Sequence, residues 1–229
     1  MSRATQRLLA IDSSTQVASV AAVEFDASTS TLRSEVGSEL QRSHAPGQIG
    51  MIADAIEQAG WKKSEVDAIV VVRGPGSFTG VRIALGTARG LSIASQCPCV
   101  AVDTLEVMAA SVGAQKAPRL ALLGAGRGEY YVARYDADQA DVEELMAPKL
   151  VAEADVWDWP EGCFVIGERV QPPESIAANR LAPVPPRLAS SAALLVASRG
   201  LERSAEMAPF APLYVRPSDA ELARRARES

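Results

Sequence analysis

The segment Val66–Val72 constrains the fold most strongly, because it ends in five consecutive apolar residues. A short apolar run without alternation is typical of a strand buried on both faces, as in a parallel sheet covered by helices. The sequence Gly74-Pro75-Gly76 then turns the chain. A helix is predicted from Phe78 to Ser95, followed by a strand at Cys99–Val102. The sequence therefore predicts an α/β fold with helical crossovers.

The residues before this strand predict an antiparallel meander. Strands are predicted at Leu8–Ile11, Val17–Phe25 and Thr31–Gly37. Apolar residues at helical spacing then predict a helix that ends near Gly60. Three strands, helix, strand, helix, strand is the pattern of a ribonuclease-H-like half-domain, in which an antiparallel meander continues into parallel strands.

The rest of the chain predicts a second domain, with a boundary near residues 103–110. Asp103 and Glu106 have the spacing of a capping box at the start of a helix. Leu120–Leu123 and Tyr130–Tyr135 flank a glycine-rich connection and predict a hairpin. A helix is predicted at Ser190–Ser198.

Composition excludes several classes of function. The three cysteines, Cys97, Cys99 and Cys163, and the single histidine offer too few ligands for a metal site or pairs for a disulfide framework. A net charge of −5 argues against a protein that binds nucleic acid alone. No signal peptide or membrane-length apolar run is present, so we expect a cytoplasmic protein without a membrane role.

The glycine-rich loop between the buried strand and the following helix has two interpretations. The helix start could bind a phosphate, with Gly74, Gly76, Ser77 and Gly80 as the candidate residues. Alternatively, the glycines only permit a sharp turn, and Ser77 caps the helix. The loop matches neither a Walker loop nor a Rossmann fingerprint, so by itself it does not indicate nucleotide binding.

Small residues within the Phe78–Ser95 helix also have two interpretations. Gly86, Thr87 and Gly90 lower helix propensity but allow another helix to pack closely. That helix can belong to a partner, or the small residues can pack on the sheet of the chain itself.

Four segments resemble the TsaB (YeaZ) family: Leu8–Ser14, Arg73–Val102, Gly128–Tyr131 and Pro212–Arg216. The resemblance covers nearly the whole chain. It implies an actin-like ATPase fold of two tandem ribonuclease-H-like half-domains, residues 1–105 and a reduced second half at 106–211. It further implies a C-terminal helix, about 212–229, that packs back on the first half.

The resemblance also implies a function. TsaB is a non-catalytic relative of TsaD and binds it, with TsaE, to enable transfer of threonylcarbamoyl from threonylcarbamoyl-AMP. The acceptor is N6 of adenosine 37 in tRNAs that read ANN codons. The family forms a homodimer when TsaD is absent, and tRNA is contacted only through the complex. No cofactor is expected in the isolated chain, and ATP or ADP is associated with the assembled complex.

Two differences from related sequences bear on catalysis. TsaD has Asn-His-Leu-Glu-Gly-His, whose histidines bind the metal, where this chain has Asp103–Met108; Thr104 and Met108 therefore replace the ligands. No catalytic or metal-binding residue is expected. The TsaB family commonly has Asp-Ala-Arg where this chain has Gly124-Ala125-Gly126, so any family role of that carboxylate and guanidinium is missing here.

The resemblance predicts a partner interface on two helices, at about residues 44–59 and 78–95, which would form a bundle with the equivalent helices of TsaD. The candidate interface residues are His44, Gln48, Met51, Ile52, Arg82, Gly86, Thr87 and Gly90.

An active small-molecule kinase of the actin-like superfamily is the alternative, with Asp12 as the metal-bound carboxylate. Phosphoryl transfer also needs several phosphate-positioning groups and a metal site. The position of Asp12 after the first strand favours an Asx turn over this metal-binding role. A peptidase, a third possibility, needs a base or a two-histidine metal site, for which one histidine is insufficient.

Overall fold

A computed structural model defines most of the 229 residues. It describes residues 5–39, 47–113, 115–136, 142–156, 163–168, 170 and 181–216. Within these ranges the chain forms two five-stranded sheets and six α-helices.

The first sheet has the predicted meander and parallel extension. Its strands are β1 (Gln6–Asp12), β2 (Val17–Phe25), β3 (Ser30–Glu39), β4 (Ala68–Val72) and β5 (Cys99–Val102). Their order is β3-β2-β1-β4-β5, with β1, β2 and β3 antiparallel and β4 and β5 parallel to β1. All five residues of β4 are buried, as expected for a strand with helices on both faces.

The second sheet repeats this order. Its strands are β6 (Arg119–Gly126), β7 (Glu129–Tyr135), β8 (Glu144–Ala152), β9 (Phe164–Glu168) and β10 (Leu181–Pro183). The order β8-β7-β6-β9-β10 again joins an antiparallel meander to parallel strands. This repetition confirms the ribonuclease-H-like, actin-like fold. The crossover helix that follows β8 is short, α4 (Glu153–Val156), whereas its counterpart after β3, α1 (Gln48–Gln58), has 11 residues.

Helices form layers on both sides of the first sheet. Helices α1 and α2 (Phe78–Ser95) cover its outer face and bury Ile11, Val20 and Val71. Helix α5 (Ala189–Arg199) covers its inner face, and α3 (Thr104–Ser111) lies between α5 and the second sheet. Side chains from both sheets therefore share one core with α3 and α5.

The predicted capping box at α3 is wrong. The Asp103 side chain makes no cap hydrogen bond and instead pairs with Arg73, while Glu106 pairs with Arg199 of α5 at 2.6 Å. Burial raises the pKa of both carboxyl groups, and the arginines oppose this rise. Both carboxylates are paired with arginines from other elements, so these tertiary ion pairs replace the predicted local cap.

The chain after α6 (Leu201–Met207) differs from its prediction. Residues 212–216 are not helical, whereas the sequence predicted a helix over about 212–229. They do pack on the first half, because the Leu213 amide donates to the Arg73 carbonyl oxygen at 2.9 Å. The remainder of that predicted helix lies outside the described residues, and the domain boundary near residue 105 stays a prediction. No helix among the described residues is long and apolar enough to cross a membrane.

Candidate partner-binding face

The start of α2 packs tightly against the turn that follows β1. The Ser77 amide donates to the Ser14 carbonyl oxygen at 2.7 Å, and the Ser77 hydroxyl accepts from the Gly80 amide at 3.2 Å. A Cβ atom would lie 2.1 Å from the Ser14 oxygen if added to Gly76, and 2.0 Å from the Ser13 oxygen if added to Gly80. Backbone contact therefore accounts for both glycines, and Ser77 caps α2 as predicted.

Asp12 is enclosed by the same turn. It is fully buried, and its Oδ1 accepts from the Ser14 amide at 2.8 Å and from the Ser14 hydroxyl at 2.6 Å. This is the Asx turn that the sequence offered as the alternative to a metal-bound carboxylate. Gln48, at the start of α1, donates from Nε2 to the Ser13 hydroxyl at 2.9 Å and adds a further contact to the turn.

Gly74, the first glycine of the loop, is also fixed by contacts within the chain. Its φ of +102° lies in the region that favours glycine, and its carbonyl oxygen accepts from the Thr104 amide at 2.9 Å. A Cβ on Gly74 would lie 3.3 Å from the Leu213 carbonyl oxygen. All four phosphate-loop candidates are thus engaged in contacts within the chain.

The middle of α2 has the opposite surroundings. Arg82, Ile83, Gly86, Gly90 and Ile93 are exposed on one side of the helix, hereafter the α2 face. Ile83 is 52% and Ile93 70% exposed. Apart from the neighbouring backbone of α2 itself, no atom of the described residues lies within 4 Å of a Cβ added to Gly86 or Gly90. The interpretation that these two glycines pack on the chain's own sheet is therefore wrong.

The other predicted interface residues on α1 and α2 are buried or half-buried where the structure describes them. Met51 and Ile52 of α1 are 2% and 5% exposed and pack in the core beneath the helix, so they do not belong to an exposed surface. Gln48 and Thr87 are half-buried. His44 lies outside the described residues.

The exposed apolar residue of α1 is instead Ile49, which is 63% exposed. It lines a groove of about 430 Å³ between α1 and the end of α2, together with Ala53, Leu91 and Ala94. The groove is formed by the side of α2 that carries Leu91 and Ala94, and the residues of the α2 face do not line it. The candidates on α1 that the family resemblance supplied, Met51 and Ile52, are therefore two to three residues away from its large exposed apolar side chain.

One edge of the α2 face carries two arginines against aromatic rings. The Arg82 guanidinium carbon lies 3.7 Å from the Phe78 ring centroid, and Arg82 Nε donates to the Tyr214 hydroxyl at 2.7 Å. Arg89 lies 5.9 Å from the Phe210 ring centroid. Sequence reasoning missed Phe210 and Tyr214, because their approach to α2 joins positions far apart in the chain.

The hairpin between β6 and β7 contains the two positions, Gly124 and Gly126, where the family commonly has an aspartate and an arginine. Arg216 donates to the carbonyl oxygens of Ala125 at 2.9 Å and Gly126 at 3.3 Å, and it pairs with Glu129. The Arg216 guanidinium therefore lies on the hairpin in which Gly126 replaces the arginine that is common in the family. Residues 213–216 connect the two halves, since Leu213 is bonded to Arg73 in the first.

The positions that correspond to the metal ligands of TsaD are enclosed in the core. Thr104 and Met108 are both fully buried, and Met108 packs in the core shared by the two halves. Among the described residues, no group of three or more His, Cys, Asp or Glu side chains is arranged to hold a metal ion. The three cysteines are free thiols, and burial raises the pKa of Cys99 to about 12.

Two consecutive ribonuclease-H-like halves define a protein of the actin-like class, and comparison with known proteins narrows this class. The family model described as TsaD, tRNA N6-adenosine threonylcarbamoyltransferase, matches residues 32–185. The tRNA threonylcarbamoyladenosine biosynthesis protein TsaB of Escherichia coli is 34% identical over 64% of this chain and 65% of its own length. TsaB of Haemophilus influenzae is 32% identical over 76% of this chain and 67% of its own length.

A solved structure of YeaZ from Pseudomonas aeruginosa agrees with these relatives. It is 28% identical, covers 91% of this chain and 99% of its own, and superposes with a TM-score of 0.68. The chain belongs to the TsaB (YeaZ) family. It spans about two thirds of the length of the two curated relatives.

Proposed function

We propose that the chain is a cytoplasmic, non-catalytic subunit in tRNA threonylcarbamoyladenosine biosynthesis. In this proposal it binds TsaD through the α2 face and the groove beside α1, and TsaE joins the complex. TsaD then transfers threonylcarbamoyl from threonylcarbamoyl-AMP to N6 of adenosine 37 of the tRNA. The names of the TsaB relatives and the match to the TsaD family model support the pathway.

The exposed glycines carry the proposal of a partner. A glycine in a helix interior destabilises the protein by roughly 0.5–1 kcal/mol relative to alanine. Gly86 and Gly90 bear this cost without a close contact from any other described element of the chain. Small residues one turn apart let the backbone of a second helix approach closely. A partner helix that packs on the α2 face would explain why both positions are glycine despite this cost.

Exposed apolar side chains around the glycines support the same surface. Ile83 and Ile93 on the α2 face and Ile49 in the groove are each more than half exposed, and large apolar side chains exposed in this way mark interaction sites when they are grouped on a surface. The groove between α1 and α2 would receive apolar side chains of the partner helices. When TsaD is absent, the same surface would pair with a second copy of the chain.

We base a supporting rather than catalytic role on the surroundings of the residues that a catalyst would use. Asp12 is held in the Asx turn, and the turn lies against the backbone at Gly76 and Gly80. Thr104 and Met108 supply no imidazole. The net charge of −5 fits a subunit that meets tRNA only through its complex, and ATP or ADP would belong to that complex.

Reconstitution of the modification tests the proposal. Threonylcarbamoyladenosine in tRNA is measured with TsaC, TsaD and TsaE, with and without this chain, and with Gly86→Arg. We expect modification to require the chain. We expect Gly86→Arg to abolish both modification and co-elution with TsaD, because the long side chain prevents close helix packing.

Leu194→Arg is the matched control. Leu194 is 40% exposed on α5, away from the α2 face, so the same arginine there should leave binding and modification unchanged. Modification that proceeds equally well without the chain would contradict the proposal. The kinase alternative would then predict ATP turnover by the chain alone that is lost in Asp12→Ala.

A further inference from the structure

Arg82 stands at the edge of the α2 face with its orientation fixed and most of its donors unused. Its guanidinium is stacked on the Phe78 ring at 3.7 Å, and its Nε is bonded to the Tyr214 hydroxyl at 2.7 Å. Only Nε has an acceptor among the described residues, and no described carboxylate pairs with Arg82. The side chain therefore presents the N–H groups of both Nη atoms to solvent.

The environment that holds Arg82 is built from a distant part of the chain. Tyr214 reaches α2 because Leu213 is bonded to the Arg73 carbonyl oxygen and Arg216 is bonded to the β6–β7 hairpin. The Phe78 and Tyr214 rings also contact each other, with centroids 5.7 Å apart. An exposed arginine normally retains much of its rotamer freedom, and here that freedom is reduced before any partner binds.

We propose that Arg82 recognises a carboxylate of the protein partner, an aspartate or glutamate on the helix that packs against the α2 face. This inference rests on the proposed function and adds the chemistry of the contact. The planar guanidinium edge matches a carboxylate with two parallel hydrogen bonds. Because Ile83 and Gly86 lie beside Arg82, docking removes water from the pair and strengthens it.

A phosphate of RNA is the other ligand that would fit a guanidinium edge. Binding to a nucleic acid backbone needs several cations, because its affinity comes from neutralising successive phosphates. The α2 face instead continues from Arg82 into isoleucines and glycines, with Arg89 as one further arginine at its edge, and the chain as a whole carries a net charge of −5. These surroundings favour a protein carboxylate.

The test measures the dissociation constant of the full chain with TsaD by titration calorimetry at low and high salt. Arg82→Gln should weaken binding by roughly tenfold, as expected for loss of one charge-assisted pair, and Arg82→Glu by roughly 100-fold through like-charge repulsion. The wild-type chain should lose more affinity with added salt than Arg82→Gln does. A purely structural role of Arg82 would not change this salt dependence.

Two further variants separate position from charge. Tyr214→Phe keeps the ring but removes the hydroxyl that holds Nε, and it should weaken binding by roughly two- to threefold. Lys116→Gln makes the same change of charge on an exposed residue between α3 and β6, and it should leave binding unchanged. Thermal unfolding of each variant checks that the fold is intact.

The outcomes distinguish this inference from the proposed function. If the wild-type chain does not bind TsaD, both are overturned. If the wild-type chain binds and Arg82→Gln binds within twofold of it, the carboxylate contact is overturned and the proposed function stands. If Arg82→Gln leaves TsaD binding unchanged but lowers the affinity of the assembled complex for tRNA, Arg82 contacts phosphate and the carboxylate assignment is wrong.

Discussion

The start and the middle of α2 use the same residue types in opposite ways. At the start of α2, Gly76 and Gly80 lie against the backbone of the β1–β2 turn, and nearby Arg73 is paired with Asp103. Farther along, Gly86 lies exposed without a close neighbour, and Arg82 has no carboxylate partner among the described residues. The residues of the first region therefore have their contacts within the chain, whereas Gly86 and Arg82 lack the corresponding contacts among the described residues.

This difference shows how to separate residues that build the fold from residues kept for a partner. A glycine whose Cβ would overlap a backbone atom is required by the fold itself. A helical glycine with open space around it lowers stability without a compensating contact in the chain. Substitution to alanine should therefore change stability in opposite directions in the two regions.

The largest effect is expected at the buried arginine. Arg73→Met would leave Asp103 without its guanidinium partner and destabilise the protein by about 3–5 kcal/mol at neutral pH. Burial already raises the folded-state pKa of Asp103 above its unfolded value, so the folded protein binds that proton more tightly. The loss should shrink as pH falls through the folded pKa, which urea unfolding at several pH values would measure.

Arg82→Met is the comparison for that prediction. It removes an exposed arginine of the same helix region, and it should change the unfolding free energy by less than about 1 kcal/mol, the range of exposed cation–π contacts. If the loss of unfolding free energy in Arg73→Met grew as pH fell, the unpaired Asp103 carboxylate would not be the cause of the destabilisation.

The next effect is steric. Gly80→Ala places a Cβ 2.0 Å from the Ser13 carbonyl oxygen, and the backbone of the turn must move to accept it. Overpacking against backbone costs about 3 kcal/mol, at the upper end of the usual range. Urea unfolding of the purified chain measures this loss. Stability equal to that of the wild type would show that the turn does not rest against α2.

The smallest effect has the opposite sign. Gly86→Ala and Gly90→Ala should each stabilise the isolated chain by about 0.5–1 kcal/mol, because the added methyl meets no other described element and the unfolded chain loses freedom. The same variants should weaken TsaD binding if a helix backbone packs there. Destabilisation of the isolated chain by either alanine would place a contact of the chain itself on the α2 face.

Local sequence patterns predicted most of the fold. The bounds of β2, α2 and β5 agree with those predicted, and the hairpin of β6 and β7 and helix α5 were placed correctly. Strands β8, β9 and β10 were not predicted from the sequence. The edge strand β8 alternates exposed and half-buried residues and carries Pro148, which weakens the apolar signal on which strand prediction depends.

The candidate site was predicted only in part. Gly86 and Gly90 were identified as small residues within a predicted helix, and helical spacing places the exposed isoleucines at 83 and 93 on the same face. Met51 and Ile52 were assigned to the surface, but they are buried beneath α1. Both sides of α1 carry apolar residues, so periodicity alone did not identify its inner face.

The sequence by itself determined the order of strands and helices from β1 to β7, because periods of two and of 3.6 residues are properties of neighbouring positions. The tertiary structure alone decided which glycines touch a backbone, which arginines are paired, and where residues 213–216 lie. Those contacts join positions such as Ser13 with Gly80, and Arg82 with Tyr214. Sequence spacing does not encode such approaches, since they depend on how separate elements pack.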